Sequence, residues 1–232
     1  CVGYLVEGAL GGTEDDKPRM VSTPWREEPM TLAEAAETGT NKVSGEHSTI
    51  GLVVTTDGSF TEIPRENYLP AEQRVIEELR ALGKPFLVLV NSAEPEGEGA
   101  KAVCDMLRGQ YQVEPVAVNC MELTEAGIAD ILRRVLYEFP ICEMSFVLPR
   151  YIGALAPQHK VQQSIYQSVR TAAQCGTKMR DIKDICQKIS GNEYIGRVDI
   201  DQLALGTGAA HIRIEIPEQV FYSIVAEQTD IQ

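Results

Sequence analysis

The sequence predicts an α/β protein: a parallel sheet with helices on both faces, followed by a smaller α+β domain. Three observations predict it. Short apolar, β-branched runs alternate with amphipathic helical stretches over residues 50–138, and strands apolar on both faces that alternate with helices build parallel sheets. The rhythm changes after Pro140, where two helical stretches precede a pair of strands. The composition is that of a globular chain, 232 residues with 44% hydrophobic and 24% charged, long enough for one large domain or two modest ones. The expected division is 1–140 and 141–232.

The elements follow in order. Residues 11–30, GGTEDDKPRMVSTPWREEPM, are polar, with glycines and three prolines, and read as a long loop anchored by Trp25. Thr31-Leu-Ala-Glu34 is a capping box: the Thr hydroxyl and Glu carboxylate satisfy free backbone donors at a helix start. Gly39 is the expected stop of that helix. Residues 50–55, IGLVVT, form a strand and run into the turn TDGS. Residues 70–82 place Val75, Ile76, Leu79 and Leu82 on one helical face, with Gly83 as the stop. A strand at 85–90, a helix at 98–110, a strand at 115–118 and a helix at 123–138 complete the first domain. In the second, helices at 157–174 and 178–190 end at Gly176 and Gly191. The stretch VDIDQLALGTGAAHIRIEI then reads as two antiparallel strands around Gly-Thr-Gly. Ile212, Ile214 and Ile216 point inward there, and His211, Arg213 and Glu215 outward. A helix at 217–227 opens with Pro217 in its first turn.

Charge and cysteine usage narrow the function classes. A formal net charge of −13 argues against gripping a phosphate backbone or an anionic lipid surface, both of which need clustered Lys and Arg. The six cysteines are scattered, with no Cys-x-x-Cys and no His at ligand spacing, so neither a disulfide framework nor a zinc site is expected. Most read as small apolar core residues in a reducing compartment. No stretch approaches the roughly 20 apolar residues of a membrane span and no signal peptide is visible; the expectation is cytoplasmic. The sequence begins at Cys1 inside an apolar run and stops at TDIQ, so both ends read as cut within a longer protein.

In a doubly wound sheet, ligands bind beyond the carboxyl ends of the strands. Three such ends are polar: Thr55-Thr56-Asp57-Gly58, Asn91-Ser92 and Asn119-Cys120. Their order matches the distal half of a P-loop GTPase-like domain, in which the second end delivers the base-reading tetrad Asn-Lys-x-Asp. Here the tetrad is Asn91-Ser92-Ala93-Glu94. Glu94 is a methylene longer than Asp and Ser92 is short and neutral, so guanine selectivity is expected to be weak and adenine at least as plausible. Asn91, Ser92, Glu94, Asn119 and Cys120 are the candidate nucleotide contacts. The alternative is that Asn and Ser simply terminate strands and cap helices, and the local pattern leaves both open. Gly3 fits the Gly of a metal-site Asp-x-x-Gly whose Asp would precede Cys1. Thr23, Thr38, Thr40 and Thr49 lie where a switch region would sense a γ-phosphate, with Thr23 and Thr40 the leading candidates. No metal ligand is expected within the chain, and catalytic residues are expected upstream of Cys1. His47, His159 and His211 read as non-catalytic.

Longer strings carry a resemblance. EHSTIGLVVTTDGSF (46–60), EIPRENYLPAEQRVIEELRALGKPF (62–86) and VLYEFP (135–140) resemble the stage IV sporulation protein A family. So do KPRMVSTPW (17–25), TKMRD (177–181) and LALGTG (203–208). The resemblance implies an ATPase built on a GTPase-like P-loop domain, followed by middle and C-terminal domains, using ATP and Mg²⁺. It implies polymerisation into a shell on the mother-cell side of the forespore surface, the base for coat proteins. It further implies a small amphipathic membrane peptide as partner through the C-terminal region, and no nucleic acid. The Walker A segment, the metal-site Asp and that C-terminal region fall outside this sequence. The expectation is therefore an ATPase in full length and an inactive chain by itself. The rival expectation is a non-catalytic scaffold with a vestigial NTPase fold. A flavodoxin-like or Rossmann enzyme is disfavoured by the absence of a Gly-rich fingerprint.

Overall fold

A computed structural model describes residues 3–14 and 17–229, and Cys1 lies outside them. The chain forms two compact units, divided between Val135 and Leu136.

The first unit is organised by a three-stranded parallel sheet, β5 (Gly51–Thr56), β6 (Phe86–Asn91) and β7 (Pro115–Val118), in that spatial order. The crossovers are α2 (Leu69–Ala81) and α3 (Glu98–Tyr111). Both move the chain the same way across the sheet, so right-handed connections put both on one face. There Ile76 and Leu79 of α2 and Cys104, Leu107 and Tyr111 of α3 bury Val53, Val88 and Val90. On the opposite face Leu87 and Leu89 of β6 are buried, whereas Leu52 and Val54 of the edge strand β5 are 45% and 60% exposed. The helix α4 (Glu125–Tyr137) follows β7. Leu82 does not join the buried face of α2, because the helix ends at Ala81 and leaves it exposed. Gly83 stands just beyond at φ +64, the left-handed turn that ends helices.

The stretch expected as a loop is instead built of short strands. β1 (Thr13–Glu14) pairs with β2 (Lys17–Pro18), and β3 (Met20–Thr23) with β4 (Arg26–Thr31), both antiparallel. Thr23 faces Arg26 across the turn at Pro24-Trp25. A two-stranded ribbon has only edge strands, so the backbone that Pro29 leaves without a donor still fits. The capping box at Thr31 and Glu34 forms as expected and opens α1 (Leu32–Lys42). Gly39 does not stop this helix. It is buried mid-helix under Trp25, whose Cη2 would lie 3.2 Å from an added Cβ. The helix runs on into a π turn over Val43–His47, and the Lys84 ammonium closes its end by donating to the carbonyls of Ser44, Gly45 and Ser48.

The second unit sets a three-stranded sheet in the order β8 (Glu143–Val147), β10 (Ala209–Glu215), β9 (Arg197–Ala204). The β9–β10 pair is antiparallel as expected, but β8, which the sequence reading did not assign, is parallel to β10. Helices α5 (Arg150–Ala154), α6 (Lys160–Ala173), α7 (Ile182–Ser190) and α8 (Glu218–Thr229) complete it. One core contains Ile165 of α6, Ile185 and Ile189 of α7, Ile224 of α8, and the inward Ile212 and Ile214 of β10. Ile216, beyond the end of β10, packs at the margin of that core. His211 is not a free outward residue: it is half-buried, and Nδ1 is hydrogen-bonded to the hydroxyl of Ser145 directly across on β8.

Candidate functional site

The carboxyl ends of β5, β6 and β7 lie side by side. Thr56 is in register with Asn91, and Asn91 with Val118, so the three polar turns leave one rim of the sheet. Parallel strands that end in register deliver their following loops to the same edge, which is where ligands bind in open α/β sheets.

Hydrogen bonds knit this rim. Asn91 Oδ1 accepts the Cys120 N–H at 2.9 Å, and the Ser92 N–H donates to the Val118 carbonyl at 2.9 Å. Asn119 Oδ1 accepts the Met121 N–H at 3.0 Å. Ser92 is fully buried, and its hydroxyl accepts the Glu94 N–H at 3.0 Å. On the β5 side, Asp57 Oδ1 accepts the N–H and hydroxyl of Ser59 at 3.0 and 2.6 Å. Ser59 Oγ in turn accepts the Ala93 N–H at 2.8 Å. Burial works to raise the Asp57 carboxyl, but hydrogen bonds from Ser59 and Ser92 outweigh it and hold the group below the usual aspartate value. Asp57, named in the sequence only as part of a polar strand end, and Ser59, not named there as a site residue, are thus structural members of the site. An Asp two residues before a Ser, in a turn closing a strand, is the signal that would have found them.

Of the sequence-derived candidates, Asn91, Ser92, Asn119 and Cys120 come together, and Glu94 stands exposed on the loop that leads to α3. Both asparagines spend the side-chain carbonyl on a backbone N–H, which leaves each amide nitrogen as a donor without a partner among the described residues. The rim therefore offers hydrogen-bond donors, flanked by the exposed carboxylate of Glu94. Side-chain amide nitrogens of this kind donate to ring-nitrogen or carbonyl acceptors.

The switch-region candidates lie on other elements. Gly3 lines a groove beside β5 with Tyr4, Val6 and Thr55. Thr40 is buried in α1, with its hydroxyl donated to the Ala36 carbonyl at 2.7 Å. Thr23 ends β3, and its buried hydroxyl has no hydrogen-bond partner among the described residues. Thr38 is in α1 and Thr49 is exposed after the π turn. No hydrogen bond ties Gly3, Thr23 or Thr40 to the rim among the described residues.

Family models divide the chain between two descriptions. Residues 1–140 match "Stage IV sporulation protein A, ATPase domain" and residues 141–232 match "Stage IV sporulation protein A, middle domain". The chain belongs to the stage IV sporulation protein A family. Curated relatives that carry this name include those of Clostridioides difficile strain 630, 40% identical over 99% of this chain, and Bacillus subtilis strain 168, 38% identical over 100%. That of Bacillus anthracis is 37% identical over 100%. In each case 47% of the relative is covered, so the chain spans about half the length of the curated relatives it matches. No solved structure matches at a significant level.

Among the described residues no group of three or more His, Cys, Asp or Glu side chains is placed to hold a metal ion, and no helix is long and apolar enough to cross a membrane. The described cysteines are all free. Cys104 and Cys186 are buried, and burial pushes both thiols up. Cys120, Cys142 and Cys175 are exposed, which corrects the expectation that most are core residues. His159 caps α6, its Nδ1 accepting the Val161 N–H at 3.3 Å.

Proposed function

We propose that this chain is the base-side part of an ATPase domain joined to the middle domain of a spore-coat morphogenetic protein. In this reading the fold of the first unit is P-loop GTPase-like. The full-length protein hydrolyses ATP and polymerises on the mother-cell side of the forespore surface, where coat proteins assemble on it. A small amphipathic membrane peptide is its partner through the C-terminal region. The names of the relatives and the ATPase description of the matched family support the class. The observation that carries the site is the union of Asn91, Asn119 and the Cys120 amide on one rim, with two asparagine NH₂ groups left to donate.

Asn91, Asn119 and Cys120 would hold the adenine of ATP, which when bound supplies the phosphoanhydride to be cleaved. Rigid loops hung from one another place those donors before the base arrives, so little ordering is left for binding. Glu94, a methylene beyond the tetrad's Asp, is poorly placed to accept the paired donors of guanine, which disfavours that base. The residues described offer no cage for Mg²⁺, and the groups that grip phosphate and metal belong, in this reading, to the longer protein. Those contacts carry most of the transition-state stabilisation in phosphoryl transfer. The chain alone therefore turns nothing over and binds ATP weakly.

A non-catalytic scaffold is favoured by one observation: Ser92 occupies the tetrad's lysine position and is fully buried, so no side chain there reaches along a nucleotide. Steady-state ATP turnover by the full-length protein decides between the two. The ATPase reading expects turnover that falls about tenfold or more in kcat/KM when Asn91→Ala removes a base contact worth about 1.4 kcal/mol. Equal turnover in that variant refutes the site, and no turnover in the parent leaves the scaffold. Micromolar, saturable ATP binding with turnover by the 232-residue chain alone contradicts the division of labour.

A further inference from the structure

A groove in the second unit has no role in the reading above. It runs between α6 and β8 and encloses about 1030 Å³. Phe146 and Leu148 from the β8 side and Val169 and Ala173 from α6 give it an apolar floor, and Lys160 and Arg170 are its charged residues. None of the residues lining it is acidic, in a chain with 34 Asp and Glu against 21 Lys and Arg. Lys160 is already paired with Glu227 at 2.8 Å. The exposed guanidinium of Arg170 has no ion-pair or hydrogen-bond partner among the described residues.

The wall opposite α6 comes from β8, an outer strand of its sheet. β8 pairs with β10 alone among the described strands, so its outer edge keeps unpaired backbone donors and acceptors. Such an edge is a template for an added strand unless charge, proline or a covering element blunts it. Of its five residues only Glu143 is charged, at the start, and Val147 at the far end is exposed.

We propose that this groove receives an extended, acidic peptide segment of a partner protein, added as a fourth strand beside β8. Main-chain hydrogen bonds to the free edge supply affinity that does not depend on sequence. Alternate side chains of the strand turn toward α6 and seat on Phe146 and Val169, because strand side chains alternate with period two. A carboxylate of the segment meets Arg170 on the rim. Six extended residues span roughly 20 Å, which matches the roughly 21 Å of a 14-residue helix such as α6. Charge selects the occupant: the groove is cationic by exclusion of acids, so an acidic strand is steered in and a basic one is turned away.

The test uses the whole chain and a fluorescein-labelled hexapeptide, Glu-Val-Glu-Val-Glu-Val, followed by anisotropy and by ¹⁵N shifts. Saturable binding is expected, with shifts confined to 144–148 and 160–173. It should weaken about tenfold or more in Arg170→Glu, the loss of one favourable charge pair and the gain of a repulsive one. Lys183→Glu on α7, a charge reversal of the same size outside the groove, should leave it unchanged. The same peptide N-methylated at alternate amides should not bind, since it cannot complete the strand ladder, and a Lys-Val counterpart should not bind. Binding that ignores Arg170→Glu or N-methylation, or no saturable binding, overturns the proposal. Concentration-dependent self-association that Arg170→Glu abolishes overturns it too, because a second copy is then the occupant.

Discussion

The carbonyl oxygen of the Asn91 side chain accepts the backbone N–H of Cys120 at 2.9 Å, so the loop after β7 hangs from the residue that ends β6. Two jobs fall on one amide: oxygen holds the loop, and nitrogen remains for a ligand. Asn91→Ala removes both, and Asn91→Asp removes only the second. Alanine should destabilise the chain by about 1 kcal/mol in urea unfolding, an ordinary loss for one hydrogen bond, and should speed hydrogen exchange at the Cys120 amide. Aspartate should leave that amide protected and still weaken adenine-nucleotide binding. Equal protection at Cys120 in the alanine variant would show that the bond does not hold the loop.

Asp57 gives the same rim a pH signature. Its carboxyl, raised by burial but lowered further by the Ser59 and Ser92 hydrogen bonds, titrates below its ordinary value. A group depressed on folding adds stability above its unfolded pKa, and that stability is lost as pH falls through the folded value. The urea midpoint should therefore hold steady near neutrality and begin to fall around pH 4, close to the ordinary aspartate pKa of about 3.9. Asp57→Asn should remove part of that acid slope and lower the neutral-pH midpoint. Superimposable profiles for the two proteins would mean the carboxylate is not engaged.

The sheet was legible because its strands advertise themselves. GLVVTT, FLVLVN and PVAV are apolar or β-branched runs closed by polar residues, and the observed bounds differ from expectation by a residue or less. The ribbon at 13–31 was hidden because its residues are charged and proline-rich, and a two-stranded ribbon buries almost nothing that periodicity would reveal. Met30 is the only buried residue among its described ones. β8 was missed for a different reason: EMSFV is five residues long, and only its pairing with β10, 66 positions away at Ser145 and His211, makes it a strand. At the site, residue types announced the three rim ends. The Asp57-x-Ser59 turn carried a local signal, but that both asparagines turn their oxygens to the backbone depends on loop geometry that no single-residue signal carries.

Beneath the rim, Arg65 grips Glu72 with Nη2 at 2.9 and 2.7 Å and reaches Thr55 Oγ1 with Nη1 at 3.2 Å. The Glu72 side chain is 1% exposed. Removing one partner of a buried pair strands the other charge, which typically costs about 3–5 kcal/mol, whereas replacing both with apolar residues is often near neutral. Arg65→Ala should therefore destabilise the first unit severely, and Arg65→Met combined with Glu72→Leu should recover most of the loss. A double-mutant cycle in urea measures the coupling, and additive effects would show that the two side chains do not depend on each other.

The second unit has a counterpart in which one buried carboxylate is held by two cations. Glu138 is buried, with Oε2 bonded to Lys178 Nζ at 2.7 Å and Oε1 to Arg180 Nη1 at 2.9 Å. The backbone repeats the stitch: the Met179 N–H donates to the Phe139 carbonyl and the Ile141 N–H to the Thr177 carbonyl, each at 2.9 Å. Lys178 and Arg180 are partly exposed, so Glu138→Gln leaves them access to water and should cost about 1–3 kcal/mol. Lys178→Ala with Arg180→Ala leaves a carboxylate with neither solvent nor partner. Stranding one charge of a buried pair typically costs about 3–5 kcal/mol, so the double variant should be destabilised severely. Adding Glu138→Gln as a third substitution removes the stranded charge and should recover part of that loss. Urea unfolding of the parent, double and triple variants measures it; a triple variant no more stable than the double would show that the buried carboxylate is not the source of the loss.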